Sequence, residues 1–389
     1  MRRIDQLDLA GKRVFIRVDF NVPLKNGTVT DATRIEAALP TIRYAREHDA
    51  KVILASHLGR PKGKPNPDMS LAPAAKKLSE LLGAPVPLAS DCIGNEVSAQ
   101  VRALANGSVL MLENLRFHAE EERNDPAFSQ ALADLADVYV NDAFGTAHRA
   151  HASTAGMVHL LPKRAAGFLL QKECEYLGKV LANPDRPLVA ILGGAKVSDK
   201  IKVISNLLDK VDALLIGGGM AYTFLSAQGE SIGKSLCESE QIGLARDLSA
   251  KAKARGVPML LPTDHVVADE PKSGVAVQTV KQIPADKMAL DIGPETITCF
   301  RTEIAKARMI VWNGPLGVFE VPPFNAGTLA IANALADSSA TTIVGGGDSV
   351  AAVMQSGRAD KITHISTGGG ASLEFLEGQT LPGLAALAD

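Results

Sequence analysis

Four arginines and one histidine stand out in the first half of the chain: Arg34, His57, Arg60, Arg116 and Arg149. An arginine fork matches a phosphate or carboxylate through two parallel N–H donors, so several forks brought to one place call for an anion there. Taken singly, each is an ordinary surface cation. The segment RVDFNVP (17–23) adds Asp19 and Asn21, two apart and hence on one side of an extended chain. They suit the hydroxyl groups of a small polar substrate, or form an Asx turn with their own backbone. His118, His148 and His151 fit a supporting layer equally well and receive no catalytic role.

The second half uses glycine. In IVGGGDSVAA (343–352) an apolar run delivers three glycines, Asp348 and Ser349 to the start of a helical pattern. Such a turn offers unpaired N–H groups and the positive end of a helix dipole to an anion, although glycine after a buried strand is also common loop chemistry. Asp348 would repel a phosphate unless a cation lay between them, which points to a metal-bound nucleotide. GGAKVSDK (193–200) sets Lys196 and Lys200 four apart, on one face if the segment is helical. Together they reach one polyphosphate; the alternative is a solvated first turn. WNGPLGVFE (312–320) supplies Leu316, Val318 and Glu320, an apolar slot with one carboxylate for an adenosine, or else a plain turn with core residues.

These groups need a frame. Short apolar runs alternate with helical patterns throughout: VFIRVD, KVILAS, SVLMLENL and DVYVND, then LVAILGG, ALLIGGG, PMLLPTD, MIVWNG, TTIVGGG and THISTGG. They predict α/β architecture with doubly wound, parallel (Rossmann-like) sheets, whose ligands sit beyond the carboxyl ends of the strands. No Gly-Gly pair occurs before residue 186, whereas Gly193–Gly194, Gly217–Gly219, Gly345–Gly347 and Gly368–Gly370 all follow it. At 389 residues two lobes are expected. Between them FLLQKECEYLGKVLANPDRP (168–187) repeats Leu170, Cys174, Leu177 and Leu181 at helical spacing and stops at Asn183-Pro184. It reads as an interdomain helix, although a core helix of either lobe would carry the same stripe.

Composition excludes several classes. A net charge of −2 gives no general affinity for nucleic acid or anionic membrane, and 4% aromatic residues leave few stacking platforms. The four cysteines form no C-x-x-C pair and fit a reduced, cytoplasmic setting, and no apolar run reaches the ~18 residues of a membrane span. GESIGKS (229–235) imitates a Walker A loop, but Gln228 stands where the motif needs glycine.

Taken in order, RVDFNVP, SHLGRP, ENLRFHAEEE, NDAFGTAHRAHAST, LGGAKVSDKI, IGGGMAYTF, WNGPLGVFE, GGGDS and ISTGGGASLEFLEG resemble the motifs of the phosphoglycerate kinase family from one end of the chain to the other. Ser349 is a departure, the family commonly having threonine there. The resemblance implies an N-terminal lobe (1–167, completed by about 376–389) for 3-phosphoglycerate or 1,3-bisphosphoglycerate, the helix 168–187, and a nucleotide lobe (188–375). It further implies glycerate contacts from Asp19, Phe20, Asn21, Arg34, His57, Leu58, Gly59, Arg60, Arg116 and Arg149. Lys196, Lys200, Gly217, Asn313, Glu320, Gly346, Gly347, Asp348 and Ser349 would hold ADP or ATP, with Asp348 on the Mg2+ side. Arg34 and Lys196 would flank the travelling phosphoryl group, with amides near Gly347 and Gly370 as further donors. The expected activity is phosphotransfer to a carboxyl group, in-line after the lobes close, by a cytoplasmic monomer of glycolysis and gluconeogenesis. A kinase for another acid would keep the cradle and change the first-half residues, whereas a non-catalytic sensor could lose Arg34, Lys196 or Asp348; all three are present.

Overall fold

The computed structural model describes residues 1–388. By its contacts the chain forms two compact units, one of Met1–Glu175 with the segment from Thr380 onward, the other of Tyr176–Gln379.

In the first unit, β1 (Arg13–Arg17) is followed by a small hairpin, β2 (Leu24–Lys25) and β3 (Thr28–Val29), then by β4 (Lys51–Ala55), β5 (Val109–Met111), β6 (Val138–Asn141) and β7 (Arg164–Ala166). The main sheet has the order β5-β4-β1-β6-β7 and every neighbouring pair is parallel. Its strands are almost wholly apolar because both faces are covered. One face packs on the helix Thr33–Glu47, which buries Ile35, Ala38, Ile42 and Ala45. A cation interrupts this pattern: Arg17, on β1, is fully buried. The segment after residue 379 belongs to this unit, with Gly383 N donating to Ala147 O (2.8 Å) and Leu381 and Leu387 buried.

The second unit holds β8 (Leu188–Leu192), β9 (Ala213–Ile216) and β10 (Met259–Leu260), an antiparallel trio β11 (His265–Ala268), β12 (Gln278–Val280) and β13 (Met288–Ile292), and then β14 (Met309–Asn313), β15 (Thr341–Gly345) and β16 (His364–Ile365). Its parallel sheet runs β10-β9-β8-β14-β15-β16. From β8 the chain winds outward to β9 and β10, then returns to β14 on the other side, so the strand order reverses between β8 and β14. The antiparallel trio has no counterpart among the expected strands. Its sequence lacks long apolar runs, and β12 is largely exposed.

The helix Phe168–Ala182 carries the chain across the division between the units. Asp142 Oδ1 accepts from Leu169 N (2.9 Å) and Leu170 N (3.1 Å), and Thr41 Oγ1 accepts from Phe168 N (2.9 Å), so side chains satisfy the otherwise orphaned first-turn donors. Gly167 makes room for this cap: a Cβ there would lie 2.2 Å from Asp142 Oδ1. The buried stripe runs Leu170, Glu173, Leu177 and Val180, so Cys174 and Leu181 lie one position off it and are only partly covered.

Candidate functional site

The first-unit site grows from loops leaving β1, β4 and β5. Asn21 N donates to Asp19 Oδ1 (3.3 Å), the Asx turn the sequence allows, and Arg34 Nη1 donates to the other oxygen of Asp19 (2.8 Å). The Asx turn leaves the second carboxylate oxygen of Asp19 for Arg34. Phe20 N is fixed by Ser56 Oγ (2.8 Å), and Asn21 Oδ1 accepts from Gly59 N (2.9 Å). Arg116 Nη1 donates to Gly59 O (2.9 Å), and Asn114 Nδ2 to Leu58 O (2.8 Å). A single hydrogen-bonded layer therefore joins Asp19, Phe20, Asn21, Arg34, Leu58, Gly59 and Arg116. Arg60 is exposed beside Gly59; Arg149 is half-buried and donates through Nε to His148 Nε2 (3.2 Å).

Beneath this layer lies a group that the sequence reading left aside. Arg17 donates through Nε to Ser153 Oγ (2.8 Å), through Nη1 to Val18 O, and through Nη2 to His57 Nδ1 (3.3 Å). Ser153 in turn donates from Oγ to Glu121 Oε1 (2.5 Å) and from N to Glu121 Oε2 (3.0 Å). Burial, with Arg17 and Arg116 nearby, pushes His57 well below the usual imidazole value. His151 falls to about 3 for the same reasons: burial first, then Arg116, Arg17 and Arg149. Burial likewise lowers the Arg116 guanidinium. An arginine inside an apolar strand was the available signal, since a buried cation requires partners.

In the second unit, a cavity of about 430 Å³ lies past the ends of β8, β14 and β15, at the switch in strand order. Lys196, Lys200, Asn313, Gly346, Gly347, Asp348, Ser349 and Gly370 all line it. Two helices start at its wall, Gly347–Gln355 and Gly370–Leu376, and no side chain caps either N-terminus. A second cavity of about 230 Å³ shares Gly194, Ala195, Pro315 and Asp348 with the first and adds Leu316, Val318 and Glu320. Another cavity of this unit, about 890 Å³, is lined by Leu225, Met259, His265 and Lys281 and contains none of the expected residues.

Lys196 and Lys200 do not share a helical face. The helix begins at Ile201, and the preceding residues form a turn in which Lys200 N donates to Val197 O (2.9 Å) and Glu238 accepts from Ser198 N and Oγ (3.0 and 2.5 Å). Lys196 stays exposed, whereas Lys200 is buried against Asn313 Oδ1, and burial brings it down to about 8 despite Asp199 and Asp348. Asn313 Nδ2 is buried without a partner. Ser349 is fully buried and its Oγ accepts from Gly314 N (2.6 Å), so the hydroxyl braces the loop after β14.

The glycines divide by what a side chain would meet. At Gly193 a Cβ would lie 2.1 Å from Pro315 O, and at Gly217 2.6 Å from Leu316 Cδ2, so these positions let neighbouring segments pack. At Gly347 and Gly369 it would meet nothing within 4 Å. Those two keep the cavity open.

One unit presenting arginine forks, and another presenting lysines above two helix N-termini, make this an α/β enzyme of phosphoryl transfer. The family profile described as phosphoglycerate kinase matches residues 4–379. The chain belongs to the phosphoglycerate kinase family, and its function is the family's: reversible transfer of the acyl phosphate of 1,3-bisphosphoglycerate to ADP, giving 3-phosphoglycerate and ATP in glycolysis. It is 61% identical over 395 residues to a phosphoglycerate kinase of Koribacter versatilis, covering 99% of this chain and 98% of that one. A relative from Moorella thermoacetica is 61% identical over 388 residues, covering 99% and 98%. The solved phosphoglycerate kinase of Coxiella burnetii superposes with a TM-score of 0.90 at 46% identity, covering 99% of this chain and 97% of its own. That of Pyrococcus horikoshii gives 0.86 at 36%, covering 100% and 98%.

Proposed function

We propose that the layer around Asp19, Arg34, His57, Gly59 and Arg116, with Arg60 and Arg149 at its rim, binds the glycerate substrate, and that the paired cavities of the second unit bind the nucleotide. The observation carrying this reading is the meeting of Lys196, Lys200 and the Gly347 and Gly370 helix starts around one cavity, joined to a slot ending in Glu320. Phosphates take the amides and lysines; the adenosine takes the slot beside Leu316 and Val318, with Glu320 accepting from ribose hydroxyls.

Asp348 is exposed in the first turn of its helix and borders both cavities. A single carboxylate beside phosphate-binding amides fits Mg2+, which favours one or two carboxylates plus substrate oxygens. When bound, the ion neutralises charge on the nucleotide phosphates. Asp348 would hold it.

Transfer between a carboxylate and ADP has good leaving groups at both ends, so the residues position and neutralise; no general base is required. Arg34 and Lys196 bracket the moving phosphoryl group, and amides at Gly347 and Gly370 donate to its oxygens. The four cysteines are free, and among the described residues no helix is long and apolar enough to cross a membrane, which supports a cytoplasmic enzyme; we take it to act as a monomer. A coupled assay with 3-phosphoglycerate and Mg-ATP tests the assignment. Activity with another hydroxy acid at higher kcat/KM would overturn the choice of substrate.

A further inference from the structure

We propose that Glu121, Ser153 and Arg17 form a positioning relay that holds His57 as a neutral imidazole with its proton on Nε2, so that His57 meets the substrate as a hydrogen-bond donor. The proposal rests on the reading of His57 as a glycerate contact.

The assignment follows from what each atom can do. A guanidinium donates and never accepts, so Nη2 of Arg17 at 3.3 Å from His57 Nδ1 requires a lone pair on that nitrogen. The imidazole proton is then on Nε2. Arg17 cannot swing away to release this constraint, because Nε is held by Ser153 Oγ and Nη1 by Val18 O. Ser153 is pinned as well: its carbonyl accepts from Tyr139 OH (2.8 Å), and its N and Oγ both donate to Glu121. Both oxygens of Glu121 act as acceptors; burial raises its carboxyl, opposed by Arg17 and the two Ser153 donors. Arg17, Ser153 and Glu121 are all completely buried, so water cannot substitute for any link.

The groups facing His57 come from every neighbouring segment: Arg17 from β1, Arg34 from the helix Thr33–Glu47, Arg116 from the loop after β5, and His151 from the segment after β6. Three of the four are arginines. A second proton on His57 would meet their repulsion, in keeping with its lowered pKa. The site's positive charge therefore comes from arginines, while His57 contributes direction.

The test is two-bond 1H–15N correlation of 15N-histidine-labelled protein, which separates the two neutral tautomers and the imidazolium. In the unmodified protein His57 is expected as the Nε2–H tautomer from about pH 6 to pH 8, where an unperturbed histidine titrates. Ser153→Ala, checked for folding by circular dichroism, is expected to give a mixture of tautomers, and Ser153→Thr, which restores the hydroxyl, to return the single form. The same variant is expected to raise KM for 3-phosphoglycerate more than it lowers kcat. An Nδ1–H tautomer, titration of His57 near pH 6.5, or a spectrum unchanged by Ser153→Ala would overturn the relay. These measurements use the free protein. Adding 3-phosphoglycerate tests the underlying reading separately: an Nε2 signal that does not move would remove His57 from the substrate site while leaving the relay standing.

Discussion

Asp19 and Arg34 are joined by a 2.8 Å ion pair, with the carboxylate almost buried and the guanidinium about a third exposed. Asp19 is anchored by its own Asx turn, so it acts as a fixed post for a long side chain that would otherwise sample many rotamers. Arg34 is thereby held near one orientation, which under the proposed glycerate-binding role reduces the ordering cost at the moment of binding.

Arg34→Ala and Lys196→Ala should each lower kcat by ~10³ to 10⁵, the range seen when an arginine finger is removed from phosphoryl transfer. Folding should be little changed, since neither side chain is buried. Asp19→Asn, which keeps Arg34 but loosens its post, should cost less. Steady-state kinetics beside urea denaturation checks all three, and variants within a few-fold of the parent would remove Arg34 and Lys196 from the catalytic step.

Lys200 should make nucleotide binding depend on pH. Its value in the free protein is about 8, below the usual lysine value, because it is buried. A bound polyphosphate favours the charged form, so binding above pH 8 must take up a proton and weaken as pH rises. Calorimetry in buffers of different ionisation enthalpy should register uptake at about pH 8.5 and little at about pH 6.5. Lys200→Met should abolish the difference.

Two glycine substitutions should separate packing from ligand approach. Gly193→Ala drives a methyl into Pro315 O and should lower stability. Gly347→Ala meets no protein atom, and should leave the melting temperature unchanged while raising KM for the nucleotide. Equal thermal shifts in both variants would refute the distinction.

Asp142 supplies a pH test of the helix cap. Its folded-state value is raised to about 7 by burial, against 3.8 for an ordinary aspartate. Between these values the folded protein keeps a proton that the unfolded chain has lost, so stability falls as pH rises through this window. Asp142→Asn retains an acceptor for Leu169 and Leu170 and cannot ionise. Its unfolding free energy from urea denaturation should exceed the parent's at about pH 8, by up to ~4 kcal/mol, and converge with it near about pH 4.

The two sets of residues proposed to bind substrate belong to different units, and transfer needs reacting atoms within ~3 to 3.5 Å. The units should therefore draw together when both substrates bind, bending at the ends of the helix that joins them and where the chain returns near residues 370–382. Small-angle scattering should show the radius of gyration falling in a ternary complex with a non-reacting nucleotide, and falling less with either ligand alone.

The parallel sheets were readable because strands buried on both faces leave continuous apolar runs, and the cradle because glycines and lysines cluster after them. Other features were hidden for physical reasons. GGAKVSDK has helical spacing, but Ser198 bonds to Glu238, forty residues away, and the backbone turns before the helix begins. The helical stripe predicted Cys174, yet Glu173 is the buried residue, because tertiary partners decide which side faces inward. Ser349 was expected beside the phosphates, and its hydroxyl also serves Gly314, in the loop after β14 and 35 positions away. The relay under His57 joins residues 17, 57, 121 and 153, a proximity that only the fold creates.

The return of the segment after residue 379 to the first unit also orders events on the ribosome. The second unit, 176–379, is contiguous and is fully synthesised before that segment exists. The first unit therefore cannot be completed until the last stretch of chain is made: before then Ala147 O lacks its Gly383 partner and the surface meant for Leu381 and Leu387 is uncovered. That apolar seam is the part of the nascent chain a chaperone would have most reason to shield.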